Sequence, residues 1–149
     1  MLSRFSNLLI WSTTLFLTGN SMCSLSVEEA VQKRIKMFKS SQTNIKELSK
    51  FIRSGDISAS SYLVDFHIKW SEEMLLVFPA GSEASTSNGS DASSDIWRDT
   101  TGFKNRVAQY NLSSKALREA LKSKNILEIN ETFEGLVESC KNCHKQFRN

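Results

Sequence analysis

Three residues, Cys140, Cys143 and His144, stand as Cys-x-x-Cys-His within the stretch VESCKNCHKQFRN. On a helix these positions are i, i+3 and i+4, so two thiols and an imidazole project from one face. Haem attached by two thioether bonds uses that geometry directly: each thiol adds to one vinyl group, and the next histidine is brought to the iron. The competing chemistries fit less well. A redox-active Cys-x-x-Cys wants the start of a helix after a strand, where the dipole lowers a thiol pKa; here the pair falls in the last turns of a helical pattern with no strand nearby. Zinc would need a fourth ligand, and the only other histidine is His67. A disulfide between i and i+3 closes too short a loop to stabilise much. The residues therefore point to one covalently bound haem c per chain, with Cys140 and Cys143 as attachments and His144 as the proximal iron ligand.

Four stretches of helical periodicity must position this motif. In the first, Ser26 and Glu29 are spaced for a capping box, Val31, Arg34, Phe38, Ser41, Ile45, Leu48 and Ile52 form a stripe, and Gly55 is a stop. The second aligns Leu63, Phe66, Trp70, Met74 and Val77 and ends at Phe78-Pro79, with His67 at the boundary of the stripe. Residues 82–94 are polar and Ser-rich, a loop. The third begins near Asp95 and carries Ile96, Thr100, Phe103, Val107, Tyr110, Ser114, Leu117 and Leu121. After a polar turn at 123–125, the fourth aligns Ile126, Ile129, Phe133, Leu136, Val137, Cys140, His144 and Phe147. The pattern predicts an all-α fold, an antiparallel four-helix bundle whose second connection is the long one.

The first 23 residues are of another kind: Arg4, the apolar run LLIWSTTLFL, then small and polar residues. This reads as a secretory signal peptide over 1–23 ahead of a single domain over 24–149, too short an apolar run to span a membrane. Cleavage fits after Ser21 or after Cys23, and a lipidated Cys23 fits less well because the residues before it lack the expected pattern. If Cys23 leaves with the leader, the mature chain holds one cysteine pair; it is expected to have no integral membrane span, and it carries 18 basic against 16 acidic residues interleaved along the sequence. Interleaving of that kind argues against a nucleic-acid partner.

A Cys-x-x-Cys-His at the end of a four-helix bundle resembles the class II c-type cytochromes, the cytochrome c′ family. Cys140 to Arg148 is similar to the family's CxxCHxxF/YR ending, Phe78-Pro79-Ala80-Gly81-Ser82 to its FPxGS motif, and Asp95-Ile96-Trp97 with Phe103 to the opening of its third helix. Arg34 and Lys39 fit its first-helix pattern of an arginine, a distal residue four later, and a lysine. The resemblance implies that Arg34 lies near the haem propionates and that Arg148 flanks the proximal pocket. Trp97 and Phe133 would be core or haem-packing aromatics.

The resemblance also implies that function divides on one residue of the first helix. An apolar side chain leaves the iron five-coordinate in a closed pocket that binds NO or CO, whereas methionine closes the sixth position and gives a low-spin electron carrier. Counting from Arg34 places Phe38 there, with Met37 about 100° round the helix as the alternative. The expectation is a periplasmic haem protein for one-electron transfer with NO or CO binding beneath Phe38, not an enzyme. Its partners would be periplasmic redox proteins, and family members often form homodimers through the first two helices. The alternatives are a six-coordinate carrier using Met37 and a haem-free helical binding module.

Overall fold

The computed structural model describes residues 25–149 apart from Thr86; the expected signal peptide and Cys23 lie outside the described residues. Four long helices make the bundle: α1 (Val27–Ser54), α2 (Ile57–Glu73), α4 (Thr100–Ser123) and α5 (Ile126–Phe147), with a single-turn α3 (Asp95–Arg98) before α4. No strand occurs among the described residues. The all-α, antiparallel bundle read from the sequence is the fold.

Local chemistry sets the boundaries. Ser26 Oγ accepts from the Glu29 amide at 3.2 Å while the Glu29 carboxylate accepts from the Ser26 amide at 2.9 Å, so two of the first unpaired donors of α1 are satisfied reciprocally. Gly55 ends the helix in the left-handed region at φ 74°, where a Cβ would be strained. Asp56 then caps α2 by accepting from the Ala59 amide at 2.9 Å, which makes the α1–α2 turn very tight. The Asn125 side chain caps α5 in the same way, accepting from Leu127 at 3.1 Å.

Two expectations are corrected. The third periodic stretch is not continuous: Asp99 leaves helical geometry and caps a new helix through Gly102 at 2.8 Å, so Thr100 is an exposed first-turn residue rather than part of the buried stripe. The second stretch tightens into a 3-10 turn over Met74–Val77 before Pro79, which shortens the α-helical part.

The helices pack in a ring. α4 lies against α5 and α2, α2 lies against α1, and the fourth side, α1 against α5, has by far the sparsest contact. The core, built on Leu48, Val64, Trp70, Leu117, Leu121 and Leu136, is closed on three sides of this ring. The loosely closed fourth side is where the site lies.

Candidate functional site

The 78–94 connection, polar by composition, is ordered by partners far away in sequence. Arg34, only 2% exposed, donates from Nη1 to the Val77 carbonyl at 3.2 Å and to Ser82 Oγ at 2.7 Å, and from Nη2 to the Ser82 carbonyl and to Ser90 Oγ at 2.6 Å. Its guanidinium also sits 4.7 Å from the ring centre of Phe78. From the other side the end of α5 clamps the same connection. The Ser93 amide donates to the Phe147 carbonyl at 3.0 Å, the Asn149 amide to the Asp91 carbonyl at 2.9 Å, and Arg148 pairs with Asp91 at 2.7 Å.

These elements frame a cleft of about 560 Å³ along the α1–α5 seam. One wall is α5, with Ser139, Cys140, Cys143 and His144; the facing wall is α1, with Arg34, Phe38, Ser41 and Ile45. Phe103, Val107 and Tyr110 of α4 line it from within, with Phe78 and Ile96 alongside. The fit to haem rests on this donor set. Two free thiols and an imidazole share one wall of a largely apolar cavity, whose volume lies in the range of roughly 300–1,000 Å³ usual for cofactor sites.

Both thiols are held protonated rather than activated. Burial raises the Cys140 pKa, and burial together with the neighbouring Cys140 raises that of Cys143 to about 11. A thiol-exchange site needs the opposite shift. Desolvation of the His144 ring, assisted by the charge of Arg148, lowers its pKa and favours the neutral imidazole that a metal requires.

Phe38 lines the cleft and meets His144 edge-on, with ring centres 6.2 Å apart; it also packs against Trp70 at 5.4 Å and Phe78 at 6.4 Å. Met37 does not line the cleft: its side chain is half-buried against the core and its carbonyl accepts from Ser41 Oγ at 3.0 Å. Arg34 and Arg148 both line the cleft, the first buried and the second exposed. Trp97 is half-buried, donating to the Pro79 carbonyl at 3.1 Å, and Phe133 is half-buried on α5 away from the cleft lining.

His67 is a further correction. It is not at a boundary but fully buried, with Nδ1 2.6 Å from the Tyr110 hydroxyl. Its spacing from Leu63 and Trp70 could have shown the burial; nothing local could have shown the partner. It does not line the cleft with the thiols. Sequence reasoning also missed the cleft roles of Tyr110, Arg106 and Ser41, which carry no motif.

Residues 29–148 match the family model described as Cytochrome C′. A search of curated proteins finds no match. Among solved structures, cytochrome c′ from Thermochromatium tepidum superposes with a TM-score of 0.77 at 14% identity, covering 85% of this chain and 98% of that one. A cytochrome c′ with an unusual ligand-controlled dimer dissociation gives 0.77 at 12% identity, covering 85% and 98%. A nitric oxide complex of a mutant cytochrome c prime from Alcaligenes xylosoxidans gives 0.72 at 20% identity, covering 83% and 97%.

Proposed function

The chain belongs to the cytochrome c′ family and binds haem c covalently, and from that premise we propose that it is a periplasmic one-electron carrier whose iron also takes NO or CO. Haem, when bound in this cleft, would supply a ferric/ferrous couple and an iron able to take a diatomic ligand. Cys140 and Cys143 would hold it by thioether bonds, and His144, kept neutral, would ligate the iron. The single observation that carries the gas-binding reading is the placement of Phe38 opposite His144, with Met37 turned out of the cleft. Phe38 offers no lone pair to a metal, so it would restrict a ligand's approach by bulk alone. Arg34 and Arg148 supply positive charge along the cavity for the propionates.

The nitric oxide complex formed by a relative supports this reading, and the export signal expected over 1–23 supports the location. Self-association through α1 and α2 belongs to the same proposal, supported by the dimer of another relative and by Tyr62 of α2, which is 78% exposed.

Optical spectra of the matured protein, ferric and ferrous, with and without CO, test the proposal. A broad high-spin ferrous Soret band that sharpens with CO is expected. Sharp low-spin bands indifferent to CO would place Met37 on the iron and leave electron transfer alone.

A further inference from the structure

Along the chain the charges alternate; folded, they do not. Arg34, Lys39 and Lys46 of α1, Arg106 of α4 and Arg148 after α5 all line the cleft, against one carboxylate, Asp91. That leaves +4 at the cleft. Residues 25–149 carry 18 basic and 16 acidic side chains, so everything outside the cleft is net −2. The two propionates of a bound haem would halve the excess without reversing it. Asp91 is already paired with Arg148, whereas Lys39, Lys46 and Arg106 enter no salt bridge among the described residues. Lys39 and Lys46 are exposed, one on each side of Gln42 along the cleft edge of α1. An unneutralised cationic rim round an apolar opening concentrates field where charge must pass and steers anionic partners to it.

We propose that this rim, centred on Lys39, Lys46 and Arg106, is the docking surface for an acidic redox protein that exchanges electrons through the cleft mouth. The proposal rests on the electron-carrier reading above. The reaction is one electron passing from the partner's reduced cofactor to the ferric haem, with no bond made and no proton moved. A protein rather than a small anion is the occupant because the cations come from three separate elements and surround the opening. Lys39 and Lys46 are exposed at the cleft edge rather than turned in on one small ion.

Stopped-flow reduction of the holoprotein by a reduced plant-type ferredoxin, an acidic one-electron protein, tests this. Between about 0.01 M and about 0.15 M ionic strength, where the screening length falls from about 30 Å to about 8 Å, the second-order rate is expected to fall at least about tenfold. Lys39→Gln/Lys46→Gln should abolish most of that dependence. Lys69→Gln/Lys122→Gln, with the same change of net charge away from the cleft, should preserve it. Equal effects of the two double variants, or a rate indifferent to salt, would overturn the proposal. So would a salt-dependent, Lys39/Lys46-dependent oxidation by hexacyanoferrate(III) without the same behaviour toward ferredoxin, which would mean that the rim attracts small anions only. A haem that no reagent reduces would sink the electron-carrier reading itself, and the docking surface with it.

Discussion

The imidazole of His67 and the phenol of Tyr110, 43 residues apart, meet at 2.6 Å inside the bundle, with His67 fully buried and Tyr110 6% exposed. Nε2 of the same ring has no partner among the described residues. A buried N–H left unpaired is rarer than an unpaired acceptor, so the proton belongs on Nδ1, which donates to the Tyr110 oxygen. The phenol hydrogen is thereby left for the cleft side, where Ser41 also lies.

Burial lowers the His67 pKa to about 4 from 6.5. The unfolded chain therefore binds a proton that the native state refuses, and this group's contribution to stability is complete above pH 6.5 and is lost as pH falls toward 4. The loss is on the order of 3 kcal/mol across that window. Urea unfolding at pH 7 and pH 4.5 should show a larger drop for the wild type than for His67→Gln. Equal drops would mean that His67 is not the group refusing the proton.

Tyr110→Phe removes the hydroxyl but keeps the ring, stranding His67 Nδ1 in the core. We expect a destabilisation of about 1–3 kcal/mol, with a lower urea midpoint and an unchanged m value. Combining it with His67→Leu should restore part of the loss, because neither polar group is then left alone. A double-mutant cycle measures that coupling.

Arg34→Met keeps most of the volume and deletes all the donations to Val77, Ser82 and Ser90. Hydrogen bonds to charged groups contribute about 1.5–3 kcal/mol each, partly offset by the relief of burying a charge. A net loss of about 2 kcal/mol is expected, with faster proteolysis confined to residues 82–94. Cleavage there at the wild-type rate would show that the α5 end alone holds the connection.

Phe38→Met puts a thioether where the structure shows an apolar ring facing His144. The ferrous spectrum should become low-spin and lose its response to CO. Met37→Leu, by contrast, should change neither, since Met37 is not on the cleft lining. A CO response abolished by Met37→Leu would reverse the two assignments.

Cys140, Cys143 and His144 line the cleft from α5, His144 at its exposed edge. Cys140→Ala/Cys143→Ala should yield colourless protein whose far-ultraviolet dichroism is retained while the near-ultraviolet signal from Phe38, Trp70 and Trp97 weakens. Full near-ultraviolet intensity would show that the bundle packs without the macrocycle.

What could be read from the sequence was what is decided locally. The Ser26–Glu29 box, the Gly55 stop and the Cys140–Cys143–His144 face all depend on residues within one helical turn of each other, and each stands as expected. The break at Asp99 was hidden because Ile96, Thr100 and Phe103 keep helical spacing across it; Asp99 with Gly102 three residues on was the unused signal. Within 82–94 the turn at Asn88, which accepts from the Ser85 and Ser90 amides, has a local signal, but the docking of the segment has none. Its remote partners are Arg34 and residues 147–149, and its serines are as polar in a buried hydrogen bond as in water. For His67 the burial was legible in its spacing from Leu63 and Trp70, but the partner was not: the phenol it meets is on another helix. The basic rim, too, exists only after α1, α4 and the end of α5 are brought together.

The sparse contact between α1 and α5 has a mechanical meaning. Three sides of the ring are held by packed side chains, so the bundle has one compliant edge, with α2 and α4 as its spine. Pressure, heat or a ligand too large for the cavity will strain the protein along the same line, parting the helix that carries Phe38 from the helix that carries His144. Compliance is thus concentrated between the helix that carries Phe38 and the helix that carries His144, and crowding the cleft between them is felt first as movement of those helices rather than as damage to the core.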